Sequence, residues 1–172
     1  MPLCPRCGLA GLALLAVAFA GCDSNNPARD LEIVSGTYAI ADLTFDPQAN
    51  ALDNVDVTER LNLAATRLRI YNDEDDEALF EVAYATGGID RINLRVSASR
   101  GQVRLEAVDD NDIEDLEALL LPPTFTLRYD GEVASTISNT FARSGVNLQA
   151  FNPDRYQGLT SVSGSLSVSF ER

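Results

Sequence analysis

The sequence predicts an all-β domain, an antiparallel up-and-down meander closing into a barrel of about eight strands with one short helix. Three observations predict it. From Thr66 onward apolar and polar residues alternate with period two, the mark of strands with one buried and one wet face. Glycines interrupt the alternation at hairpin spacing, at Gly87-Gly88, Gly101 and Gly131. The connections are short, which favours a meander over a β-sandwich, the alternative architecture, whose sheets need long crossings.

The elements follow in order. Val55 to Ala65 alternates at Val57, Leu61 and Leu63 and is expected as a strand, although Val57, Leu61, Ala64, Ala65 and Leu68 also fit helical spacing. Leu68 and Ile70 face inward from the next strand. Phe80, Val82 and Tyr84 follow, then Ile92, Leu94, Val96 and Ala98, then Val103, Leu105 and Ala107. Asp112 to Leu121 is the helix: Asp109 to Asp112 offer N-caps, acids fill the first turn, and Pro122-Pro123 ends it. Phe125, Leu127 and Tyr129 resume the alternation. Asn152 to Gly158 reads as an ordered turn before the last strand, Ser161 to Phe170, with Leu166, Val168 and Phe170 inward.

Apolar phase and glycine position also give registers, because a one-residue slip exposes a whole face. They place Val82 opposite Ile92, Phe80 opposite Leu94, and Ile70 opposite Phe80. Across Arg100-Gly101 they place Val96 opposite Leu105 and Ala98 opposite Val103; across Asp130-Gly131, Leu127 opposite Val133. On the outer face Arg69 then meets Glu81, Arg95 meets Glu106, and Arg128 meets Glu132.

Composition removes much chemistry. The 172 residues suit one domain and carry 26 acidic against 13 basic side chains, a net charge of −13. Every basic residue is arginine, and histidine and tryptophan are absent. Without histidine there is no Ser-His-Asp or Cys-His nucleophile and no imidazole ligand. Without lysine there is no Schiff base. So acidic a chain repels nucleic acid. The acidity fits either solubility at high salt or a field that steers a basic partner.

The first 22 residues set the address. Leu9 to Ala20 is uncharged and apolar, too short to span a bilayer but the size of a signal-peptide core. Phe19-Ala20-Gly21-Cys22 resembles a bacterial lipobox, the site where signal peptidase II cuts before a lipidated cysteine; Phe19 stands where leucine is usual. The resemblance implies removal of residues 1–21, acylation of Cys22 and attachment to the lipid bilayer of a bacterial cell envelope, with the outer membrane favoured and a periplasmic or surface face. The other reading is an ordinary secretory signal with Cys22 a stray thiol. Two or three acyl chains anchor stably, at about 0.8 kcal/mol per buried methylene. Asp23 resembles an inner-membrane retention signal of enteric bacteria, a rule that does not transfer across phyla. Residues 22–34 are expected as a lipidated flexible tether and 35–172 as the barrel. Cys4-Pro5-Arg6-Cys7 has metal-site spacing but lies in the removed segment, with no second ligand pair.

Strand count, meander order and the closing Ser163 to Phe170 strand make the domain resemble the lipocalin-like class of small barrels, some of them bacterial lipoproteins; Gly36-Thr37-Tyr38 has tyrosine where true lipocalins carry tryptophan. An eight-stranded barrel is filled by its own side chains or holds one small ligand. Two functions follow, both non-catalytic and without cofactor or metal. In one, a small apolar ligand sits in or at the mouth of the barrel, lined by Phe80, Val82, Tyr84, Leu94, Val96, Leu105, Phe125, Leu127 and Tyr129, the two tyrosines supplying hydroxyls. In the other, a solid barrel has a structural or partner-binding role. Asn72 to Glu77 could ligate calcium but reads better as a solvated hairpin tip, and the acids at Asp109 to Asp115 read as helix capping.

Overall fold

A computed structural model describes residues 27–49, 52–73 and 76–172. The signal segment, the CxxC pair, Phe19, Ala20, Gly21 and Cys22 lie outside the described residues.

The expected barrel is present. Strands β1 (Gly36–Pro47), β3 (Arg67–Ile70), β4 (Glu77–Ala83), β5 (Ile89–Ser99), β6 (Gln102–Ala107), β7 (Thr124–Arg128), β8 (Thr136–Val146) and β9 (Val162–Glu171) pair in sequence order, all antiparallel. β9 returns to β1 from Ala39↔Glu171 to Pro47↔Gly164 and closes the ring, with a bulge between Ile40 and Asp42. The two-residue strand β2 (Val55–Asp56) adds to β1 beside the ring.

Leu68, Phe80, Val82, Ile92, Leu105, Leu127 and Phe170 are wholly buried, so period two places these as the sequence predicts; Tyr38, Leu43 and Phe45 of β1, outside that reading, are wholly buried as well. The Phe80 and Phe170 rings meet edge to face inside the barrel, 5.4 Å between centroids and 83° apart. Burying each such side chain contributes about 1.5–3 kcal/mol, and the ring pair about 0.5–1.5 kcal/mol more.

Helices close both ends. Strand polarity puts α1 (Pro27–Val34) where β1 starts, and α2 (Asp110–Ala118) and α3 (Leu148–Phe151) together at the opposite end. α1 corrects the expected tether: Leu31 and Val34 are buried in the core, and the Tyr38 hydroxyl donates to the Val34 carbonyl at 2.7 Å. Two apolar residues one turn apart bury enough surface on the barrel end to order the segment. α2 starts earlier than expected because the Asp109 carboxylate accepts from the Asn111 and Asp112 amides. It stops at Ala118 because Leu120 turns into left-handed conformation at φ 61°, which tucks Leu119, Leu120 and Leu121 into the core.

The expected strand over Val55 to Ala65 shrinks to β2. Asp56 accepts from the Thr58 amide at 2.8 Å, which starts a 3₁₀ turn over Val57–Arg60. The same segment changes a register. Thr66 is buried, and its hydroxyl accepts from the Ala83 amide and donates to the Ala83 carbonyl. Tyr84 bridges to Leu61 rather than to β5. Val82 therefore pairs with Asp90 and Phe80 with Ile92, two residues from the expected register. Leu68 rather than Ile70 faces Phe80, and Arg67 rather than Arg69 faces Glu81, yet Arg69 still reaches Glu81 diagonally at 3.2 Å. Val96↔Leu105, Ala98↔Val103 and Arg95↔Glu106 stand as expected. The tight turn expected at Gly131 gives way to a longer connection between β7 and β8, although Gly131 is left-handed at φ 85°: Val133 is 71% exposed, and Glu132 pairs with Arg29 at 3.7 Å instead of facing Arg128.

Candidate functional site

The expected ligand-lining residues come together, but they touch one another. Phe80, Val82, Leu105 and Leu127 are 0% exposed and Leu94 and Val96 1%, and Phe125 is also buried. A side chain facing a void large enough for water would keep accessible surface, so the barrel interior is filled at this layer. The two expected hydroxyl handles lie at opposite ends. Half-buried Tyr84 follows β4 at the α2 end, its phenol pKa raised by burial and then by hydrogen bonding to Asp90. Buried Tyr129 follows β7 at the α1 end, its phenol raised by burial and then by the nearby Asp30 carboxylate. They do not share a cavity.

Room exists outside. A cleft of about 520 Å³ opens at the α2 end between α2, the end of β8, α3 and the 3₁₀ turn. Its origin is local. The β8–β9 register shifts between Arg143 and Val146, with Gly145 left-handed at φ 70°, so β8 bends and the chain enters α3. The Asn147 carboxamide oxygen then accepts from the Ala150 amide at 3.0 Å and caps α3. Half-buried Phe151 supplies apolar surface to the cleft, and the buried Leu120 and Val146 lie beneath it.

Two arginines and two glutamates share its walls. Arg60, on the 3₁₀ turn, donates from Nη1 to the Phe151 carbonyl at 3.1 Å and lies over the Phe151 ring, 4.7 Å from guanidinium carbon to centroid. Half-buried Arg143 donates from Nε to the Leu120 carbonyl at 3.1 Å. Burial lowers its pKa, and the charge of Glu117 opposes that shift. Glu114 and Glu117 project from α2, so guanidinium and carboxylate groups line one hollow. Sequence reading missed Arg60 and Arg143, because neither stands in a motif. The one available signal was the Ser144-Gly145 step breaking an already weak alternation in β8.

A second hollow, about 400 Å³, marks the weakest seam of the ring, where β7 and β8 pair only at Arg128↔Ser138. There the Asn139 side chain donates to the Thr126 carbonyl at 2.7 Å in place of a ladder bond.

At the same end Asp112 is buried, a carboxylate missed among its acidic neighbours. Its Oδ1 accepts from the Asn93 amide at 2.8 Å and ties α2 to β5, while Oδ2 is buried without a partner. Of the calcium candidate, Asp73, Asp76 and Glu77 are exposed and Asp76 is left-handed at φ 49°, the geometry of a hairpin tip. No family model, curated protein or solved structure matches the chain.

Proposed function

We propose that the chain is a bacterial envelope lipoprotein, acylated on Cys22, non-catalytic, whose filled barrel is a scaffold and whose ligand binds outside it, in the cleft of Arg60, Arg143 and Phe151. The observation that carries this reading is the contrast between the two places a ligand could go. The core layer leaves no accessible surface on Phe80, Val82, Leu105 or Leu127, whereas the cleft lies within the 300–1,000 Å³ scale of small-molecule sites at about 520 Å³. Its walls are more polar than apolar, with half-buried Phe151 beside the directed groups of Arg60, Arg143, Glu114 and Glu117.

The lipobox resemblance supports the address, and the fold gives the anchor a direction. Only Asp23 to Asn26 separate Cys22 from Pro27, a reach of at most about 18 Å when fully extended. A bilayer holding Cys22 is then close to the α1 end, and the cleft faces away from it.

Two measurements test the reading. Cys22→Ser should abolish incorporation of labelled palmitate and release the protein from membranes; unchanged attachment counts against the anchor. Native mass spectrometry of protein extracted from its own envelope should show a retained small molecule that Arg143→Gln loses. A molecule retained equally by both would move the site elsewhere.

A further inference from the structure

The cleft holds charges of both signs that form no direct ion pair with one another, although the charge of Glu117 reaches Arg143. The ion pairs within 4.0 Å among the described residues are Arg29–Glu132, Arg69–Glu81, Arg91–Glu81 and Arg104–Glu106. None joins Arg60 or Arg143 to Glu114 or Glu117, although all four line the same hollow. Each guanidinium is nonetheless fixed. Arg143 is held through Nε by the Leu120 carbonyl, and Arg60 through Nη1 and its plane by Phe151. A guanidinium carries five N–H donors, so each keeps others for the hollow.

The net charge of −13 decides between ligand classes. A net anion would meet a repulsive field around the whole molecule, and the two glutamates again at the site. A net cation would be drawn in but would meet Arg60 and Arg143. A molecule with both charges and no net charge meets neither penalty, and an apolar portion can cover the half-buried Phe151 ring.

We infer that the cleft binds a small zwitterion with an apolar side chain, an apolar α-amino acid or dipeptide, its carboxylate on Arg60 and Arg143 and its ammonium on Glu114 and Glu117. The assignment rests on the cleft being the binding site and adds the chemistry of its ligand.

Amide-resolved NMR titration of the protein separates the two claims. The probes, at millimolar concentration, are L-phenylalanine, L-leucyl-L-leucine, 3-phenylpropionate (no ammonium) and 2-phenylethylamine (no carboxylate). At least one zwitterion should shift Ser144 to Asn147 and Ala118, and both truncated probes should bind about tenfold more weakly or worse, the loss of one charged contact. Arg143→Gln and Glu117→Gln should each weaken the zwitterion by a similar factor while the spectrum keeps its dispersion. A truncated probe binding as tightly as phenylalanine overturns the zwitterion assignment and leaves the cleft as a site. No shift with any of the four probes overturns both.

Discussion

Arg172 lies over the ring of Tyr38, 5.0 Å from guanidinium carbon to centroid. From there it donates through Nη1 to the Ser35 carbonyl at 2.8 Å, through Nη2 to the Ile33 carbonyl at 2.9 Å, and through Nε to the Ala134 carbonyl. One planar fork thus gathers the end of α1, the start of β1 and the lead into β8. Burial raises the Tyr38 phenol, an effect that the Arg172 charge partly offsets. Arg172→Ala should cost about 2–4 kcal/mol, since charge-assisted hydrogen bonds contribute about 1.5–3 kcal/mol each and these are partly exposed. Arg172→Lys should recover only a part, because an ammonium cannot hold three carbonyls in one plane. Hydrogen exchange gives the sharper reading: amides of α1 should exchange faster while β5 and β6 keep their protection. Unchanged α1 protection in Arg172→Ala would show that the fork does not hold the helix in place.

Gly164 is where the barrel closes on itself. A Cβ there would sit 2.7 Å from the Phe45 ring and closer still to the Asp46 carbonyl oxygen. The φ angle is ordinary, so the demand for glycine is one of space between β9 and β1. Gly164→Ala should destabilise by about 1–3 kcal/mol, the scale of an overpacked core. A denaturant midpoint equal to wild type would show that the strands can move apart freely.

Which faces were legible and which registers were not has one physical cause. Alternation reports parity, so Leu68, Phe80, Ile92, Leu105 and Leu127 were placed inside correctly. A slip of two residues leaves parity unchanged, and Ile70 opposite Phe80 looks as good as the actual Leu68 opposite Phe80. What selects between them is Thr66 holding both polar atoms of the Ala83 backbone, a contact across 17 residues that no local pattern announces. Arg100-Gly101 needed no such help, because the hairpin loop sets the register by itself. The cleft was illegible for a related reason: Arg60 and Arg143, far apart in sequence, line one hollow only in the folded chain.

Acid should treat one carboxylate unlike most. Burial, followed by the charges of Asp90, Asp112, Glu114 and Asp109, raises Asp115 above its ordinary value of 3.8. A group whose folded pKa is raised contributes stability below its unfolded pKa and loses it as pH rises through the folded value. At neutral pH the ionised Asp115 is therefore a cost. Asp115→Asn should raise Tm by roughly 1–3 °C at pH 7, the scale of a single half-exposed charge interaction. The gain should shrink to nothing by about pH 3, where the wild-type carboxyl is protonated. A gain that persists at low pH would mean that the introduced carboxamide acts through a new contact instead of a removed charge.

The absence of tryptophan makes the proposed anchoring, and the orientation it would impose on the barrel, directly measurable. Val133 is 71% exposed at the α1 end, and Leu63 is 43% exposed at the opposite end, just before β3. The eleven residues of β5 run roughly 35 Å at about 3.3 Å each, so with barrel tilt the ends stand roughly 25 Å apart. Val133→Trp and Leu63→Trp each introduce a single reporter at an already exposed position, where neither should disturb the core. In acylated protein reconstituted into vesicles of brominated lipid, quenching acts over only a few ångströms of bilayer depth. Emission from the Val133→Trp variant should therefore be quenched more strongly than emission from the Leu63→Trp variant. Removing the anchor with Cys22→Ser should abolish the quenching at position 133. Strong and equal quenching at both positions would show the barrel lying on its side, with the cleft against the headgroups instead of open to the aqueous face, and no quenching at either would overturn the close approach of the α1 end.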